Sequence, residues 1–101
     1  MTPEQRKQRP LYEGVLKYFP NALMEVAHAS WVGNNQHGNG DKLQWTREKS
    51  SDHMDACLRH IMDYANGTIK DTDGCYHLAK AIWRLNAELE LLIEGENLTK
   101  G

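Results

Sequence analysis

The sequence predicts an all-α fold, a compact bundle of three main helices with a long Gly/Asn loop between helices one and two. Three observations carry this. Apolar residues recur at helical spacing from Met54 to Ala65 and from Leu78 to Leu92, lining one side of a helix of 3.6 residues per turn. No stretch alternates apolar and polar residues as a half-buried strand would. Helix starters and stoppers bracket each periodic stretch.

In chain order, residues 1–9 are charged and without periodicity, which predicts a flexible arm. A single helical domain then spans 10–95. Leu11, Tyr12, Val15, Leu16, Tyr18 and Phe19 form an apolar cluster interrupted by Gly14. Pro20 suits a helix start, and Leu23, Val26, Ala27 and Ser30 share a face of a first helix over 21–32. Gly33 is a natural stop, and GNNQHGNGDKLQW follows without a period. Such long loops are functional or mobile. Trp45 closes this one, either pinning it to the core or stacking on a ligand ring.

Ser50 or Ser51 caps a second helix, with Asp52 in its favourable first turn. Met54, Cys57, Leu58, Ile61 and Ala65 form its apolar stripe. Asp55 and Arg59 lie on one flank, and His53, His60 and Tyr64 on the other. Asn66-Gly67 ends it. The turn from Asp71 to Gly74 caps a third helix whose stripe is Leu78, Ile82, Leu85, Leu89 and Leu92. Beside that stripe run His77, Ala81, Arg84 and Glu88, a polar line with a small residue in it that suits a groove wall. Beyond Gly95, residues 96–101 are expected to fray as a flexible tail.

Charge and size bound the function. With 12 basic and 14 acidic residues the net charge is -2, which gives no bulk attraction to a nucleic-acid polymer or a membrane surface. No apolar run approaches the roughly 20 residues needed to span a bilayer, and the first residues lack a hydrophobic signal core. A cytoplasmic protein is expected. A domain of 101 residues buries a modest core, so completion by homo-oligomerisation is expected too. Cys57 and Cys75 are not spaced as a metal pair and read as reduced, interior thiols, against a disulfide or a reactive role.

Four constellations carry chemistry. Asp52 and Asp55 on the second helix join Asp71 and Asp73 at the start of the third. A helix length apart, the four cannot share one metal, so Asp52 with Asp55 is the carboxylate pair able to bind Mg²⁺, against the plainer role of acids at a helix start. His60 and His77, on consecutive helices near their connection, can meet. Such a pair donates to phosphate, ligates a transition metal, shuttles protons, or serves as a structural pair bonded to backbone. Arg59 and Arg84 bind phosphate bidentately or pair within their helices with Asp55 and Glu88. The amides of Asn34, Asn35 and Gln36, beside His37, read a base or sugar, or are solvated linker.

The order PLYEGVLKYFPNALMEVAHASWVG, LQW, DHMDACLRHIMDYANG and DTDGCYHLAKAIWRLNAEL resembles the phage-encoded dATP/dGTP diphosphohydrolase N-terminal domain family. The most specific matches are Asp55-Ala56-x-x-Arg59-His60 and Gly74-x-x-His77-Leu78-Ala79, supported by Pro20, Ala22, Leu23, Glu25, Val26, Ala27 and Asn86. The resemblance covers about residues 10–92. It implies a purine deoxynucleotide ligand and a likeness to all-α pyrophosphohydrolases of the MazG kind, which hold Mg²⁺ on acids of paired helices. The chain departs from that kind in lacking a Glu-x-x-Glu and Glu-x-x-Asp arrangement, and from the family it resembles in reading Asn34-Asn35-Gln36-His37 where a basic and aromatic pair is usual.

With the flanking acids, histidines and arginines, the resemblance implies a pyrophosphohydrolase that releases monophosphate and pyrophosphate. Glu25, Asp52 and Asp55 would hold Mg²⁺, and Arg59, His60, His77 and Arg84 the phosphates. Trp45 or Asn86 would contact base or sugar, and Asp55, His60 and His77 would serve catalysis. Two readings compete with it. One is a non-catalytic nucleotide-binding protein, such as a phage sponge for a nucleotide immune signal, and the other is a plain helical interaction module.

Overall fold

A computed structural model describes residues 1–36, 38 and 42–100, without the side chains of residues 99 and 100. His37 and Asp41, within the expected loop, lie outside them. Among the described residues the secondary structure is helical: α1 (Pro3–Lys7), α2 (Pro20–Gln36), α3 (His53–Ala65) and α4 (His77–Lys100). A π-helical turn at Tyr12–Leu16 and a 3₁₀ turn at Arg47–Lys49 complete it.

The N-terminal segment contains a capped helical turn. The Thr2 hydroxyl accepts the Gln5 N–H, the Gln5 side chain accepts the Thr2 N–H, and Pro3 occupies the first turn, a capping box that local sequence suffices to build. Nothing in α1 is buried. α2 begins at Pro20 as expected but does not stop at Gly33; it runs on through Asn34 and Asn35 to Gln36. The stop is Gly38, whose φ of +72° and N–H bonded to the Asn35 carbonyl at 3.1 Å make a left-handed terminus. Asn34 is instead an anchor: it is buried, and its Oδ1 accepts the Gln44 N–H at 3.1 Å, which ties the far end of the loop to α2.

α3 ends in a Schellman arrangement. The Gly67 N–H (φ +97°) reaches the Tyr64 carbonyl at 3.0 Å and the Thr68 N–H reaches the Asp63 carbonyl at 2.9 Å. The stretch expected to cap the next helix forms a small hairpin instead. The Asp71 N–H bonds the Cys75 carbonyl, the His77 N–H bonds the Ile69 carbonyl, and Gly74 supplies the positive φ of +85°. α4 therefore starts at His77 and continues past Gly95 as one helix to Lys100.

α4 packs against both α3 and α2. His60 meets His77 while His53, nearer the start of α3, meets Arg84, farther along α4; the two helices are antiparallel. Their interface is made of small and polar residues: Ala56, Cys57, His53, His77 and Ala81 are all nearly inaccessible. Small side chains let helix axes approach closely, and the polar line His77, Ala81, Arg84 and Glu88 turns inward.

The apolar stripe expected to form the core of α4 points out. Leu78, Ile82, Leu85, Leu89 and Leu92 are 38–58% exposed, as are Met54, Leu58 and Ile61 of α3 at 40–52%. Periodicity identified the apolar face correctly; within one chain no helix covers it. Cys57 and Cys75 are buried and unpaired.

Candidate functional site

The loop that returns from α2 to α3 lies across α4, and between them opens a cleft of ≈ 230 Å³. Its walls are residues of α2 (Ser30, Gly33, Asn34, Gln36), of the returning chain (Gln44, Trp45, Lys49, Ser50), of α3 (His53, His60) and of α4 (Lys80, Trp83, Arg84). Among the described residues three cations and two imidazoles line it and no carboxylate does. Carboxylates stand just behind two of the cations, Asp71 and Asp73 at Lys80 and Asp52 at Arg84.

Arg84 is held by what surrounds its Nη1. It donates to Ser50 Oγ at 3.2 Å and to His53 Nδ1 at 3.1 Å, with Asp52 Oδ1 at 3.6 Å. A guanidinium has no lone pair to offer, so His53 Nδ1 accepts and the ring proton sits on Nε2. His53 is 2% exposed and its Nε2 has no hydrogen-bond partner. Around it Trp45 and Trp83 pack edge to face, 5.7 Å between centroids, with the imidazole 6.5 and 6.2 Å from them. Arg47 covers the Trp45 ring at 4.1 Å and is itself fixed by Glu94 at 2.9 Å, so the aromatic wall is held from behind.

At the other end, Lys80 Nζ bridges Asp71 at 2.7 Å and Asp73 at 2.5 Å. Partial burial would raise the Asp73 carboxyl, but hydrogen bonds from Lys80, the Cys75 N–H and Gln36 outweigh it and hold Asp73 at about 2. The Asp71 carboxyl is lowered by Lys80 and by the Thr72 N–H. Burial pushes Lys80 down, and the two carboxylates overcome this to raise it. The two acids more than neutralise Lys80, and Asp52 offsets part of the charge of Arg84. The Asp52 carboxyl is lowered first by the Ser50 hydroxyl, then by Arg84.

His60 and His77 meet as expected, Nδ1 to Nδ1 at 2.9 Å. His77 is buried and His60 partly so; burial, with Lys80 nearby, pushes the His60 imidazole below its ordinary value. Asp63 Oδ2 lies 3.9 Å from His77 Nδ1, a neighbour the spacing of the two histidines did not reveal.

The other expected residues disperse. Asp55 is exposed on α3 and outside the cleft wall. Arg59 pairs with Asp52 at 3.6 Å and not with Asp55, and Arg84 turns to Ser50, His53 and Asp52 and not to Glu88. Asn86 lies behind the aromatic wall, in a shallow groove with Trp45, Trp83, Ala87 and Glu90. Glu25, Asp52 and Asp55 do not converge: among the described residues the one group of three possible ligands within 4.8 Å is His60, Asp63 and His77. Mg²⁺ favours an octahedron of oxygens, and one chain assembles no such set here. Trp45, His60 and Arg84 do line the cleft, as do Asn34 and Gln36 of the expected loop. His53, Trp83, Lys80 and Lys49 join them without having been singled out, and the available signal was the short spacing of Lys80, Trp83 and Arg84 on one turn of α4.

No curated protein and no solved structure matches the chain. Residues 2–100, nearly its whole length, match the family described as dATP/dGTP diphosphohydrolase, N-terminal. With that match spanning α1 to α4, the chain belongs to the dATP/dGTP diphosphohydrolase N-terminal family.

Proposed function

We propose that the cleft binds a purine deoxynucleoside triphosphate, and that the protein hydrolyses it to monophosphate and pyrophosphate. The observation that carries this is the lining itself, with Lys49, Arg84 and two imidazoles beside Trp45 and Trp83 and no carboxylate facing in. Arg84 supplies charge-assisted donors to a phosphate, and the unpartnered Nε2–H of His53 adds a donor already stripped of water. The indoles offer flat apolar faces to a base. Asn34, Gln36 and Gln44 place amide groups at the rim, where base edges or the sugar can be read.

At ≈ 230 Å³ the cleft is smaller than the roughly 300–1,000 Å³ of ordinary small-molecule sites. It holds part of a nucleotide. The uncovered Leu stripe of α4 supplies a reason for a second copy to be present, and in this proposal a homo-oligomer completes the site. Mg²⁺ enters with the triphosphate as part of the substrate, since the described residues gather no oxygen cage for it. The protein acts in this reading as a phage-type enzyme of the host cytoplasm.

One observation favours a second reading, in which the nucleotide is bound and sequestered without turnover: the acids expected to serve catalysis do not converge. A panel of deoxynucleoside triphosphates and cyclic nucleotides, incubated with the purified protein in Mg²⁺ or EDTA and followed by mass spectrometry, decides. Monophosphate and pyrophosphate appearing only with Mg²⁺ support the hydrolase. Intact ligand retained in EDTA supports sequestration, and no bound or converted nucleotide overturns both.

A further inference from the structure

We infer that His60, Asp63 and His77 form a binding site for a divalent transition-metal ion of the Zn²⁺, Co²⁺ or Ni²⁺ type. This is separate from any Mg²⁺ carried by a nucleotide. The site is built by both helices of the α3 and α4 pair. His60 and Asp63 stand one turn apart on α3, so their side chains project to the same side. His77 is the first residue of α4, and the hairpin from Ile69 to His77 holds it opposite them.

The three ligand atoms lie within 4.8 Å of one another. A tetrahedral ion with bonds of about 2.0–2.1 Å holds neighbouring donors roughly 3.3 Å apart. The two Nδ1 atoms are at 2.9 Å and His77 Nδ1 to Asp63 Oδ2 is 3.9 Å. Seating an ion therefore asks the imidazoles to part slightly and the carboxylate to close slightly. Asp63 is free to do so, since its side chain is 55% exposed, while His77 at 3% is fixed. Two imidazoles and one carboxylate leave a fourth position open, the donor set of borderline-soft ions and not of Mg²⁺.

Two facing Nδ1 atoms at hydrogen-bond distance share one proton, so one ring carries it on Nδ1. An ion replaces that proton's bridging role once this ring moves its proton to Nε2. Lys80 is the strongest charge acting on His60 and disfavours a cation there. Its own ion pairs with Asp71 and Asp73 and the Asp63 carboxylate in the ligand set counter it.

The test is titration of tag-free, chelator-stripped full-length protein with Co²⁺ alone. Visible absorption reports coordination, and equilibrium dialysis reports stoichiometry. Expected are one ion per chain, d–d bands of a four- or five-coordinate nitrogen and oxygen site, and competition by Zn²⁺. Asp63→Ala, at an exposed position, should weaken Co²⁺ binding at least about tenfold with the helical spectrum unchanged, and His60→Gln should weaken it further. No uptake at micromolar metal overturns the inference. So does an intense near-ultraviolet thiolate band, which would place the ion on Cys57 or Cys75, or an Asp63→Ala chain that binds as tightly as the parent.

Discussion

Arg84 Nη1 stands 3.1 Å from Nδ1 of His53, and this contact between α4 and α3 settles which nitrogen of a buried imidazole carries the proton. Because the guanidinium only donates, His53 presents Nε2–H, the one buried side-chain polar atom without a partner among the described residues. A buried donor left unmade costs roughly 1–3 kcal/mol. A ligand oxygen or ring nitrogen that accepts from it relieves that cost on binding.

Removing these groups should act on ligand affinity in proportion to their charge. Arg84→Ala is expected to weaken binding of dATP or dGTP by about tenfold to a hundredfold, the worth of a charge-assisted hydrogen bond. His53→Phe, which keeps an aromatic ring among Trp45 and Trp83, should cost about two- to tenfold. Isothermal titration with each purified variant reads both. Unchanged affinity in Arg84→Ala would move the nucleotide out of this cleft.

The Lys80 clasp sets the acid limit of stability. The Asp73 carboxyl is depressed to about 2 in the folded chain against an ordinary value near 3.9. Its contribution is therefore complete above about pH 4 and is lost as pH falls toward 2. Lys80 is raised in the folded state, so its own contribution is complete below its ordinary value and fades only when pH rises through the folded one. Lys80→Met should lower stability near neutrality by about 1–3 kcal/mol and flatten the acid limb between pH 4 and 2. Urea midpoints measured across that range check it. An acid limb as steep in the variant as in the parent would separate Asp73 from Lys80.

The outward Leu stripe predicts self-association. Each Leu taken from water contributes about 1.5–3 kcal/mol, so Leu85→Lys with Leu89→Lys should dissociate the assembly at micromolar concentration and leave the helical spectrum intact. Light scattering after gel filtration gives the mass. A parent chain that elutes as a monomer at every concentration would rule out self-association through this face.

Much of the fold is legible from short-range rules. Pro20 does begin a helix and Asn66-Gly67 does end one, because caps and left-handed glycines act within a few residues; Asp71 to Gly74, expected to cap the longest helix, turns a hairpin instead. Gly33 misled for the same reason: a glycine permits a stop but does not impose one, and a buried Asn34 side chain holding the Gln44 N–H made another turn of helix more favourable. Of the site, Trp45, Arg84 and the meeting of His60 with His77 were legible. His53 was not singled out, since nothing in its spacing says that an arginine 31 residues away would fix its tautomer.

The sequence by itself determined that the chain is helical, where its apolar faces lie, and which family it belongs to. These follow from period, caps and motif. The tertiary structure decided which face of α4 is inside. The small and polar line of His77, Ala81 and Arg84 packs against α3 while Leu85 and Leu89 face out, since burial depends on what a helix meets and periodicity records only what it carries. It also decided the partners of several charges. Lys80 found two carboxylates at the hairpin and Arg84 turned to Ser50, His53 and Asp52, because long side chains pair by proximity in space and not only by spacing along one helix.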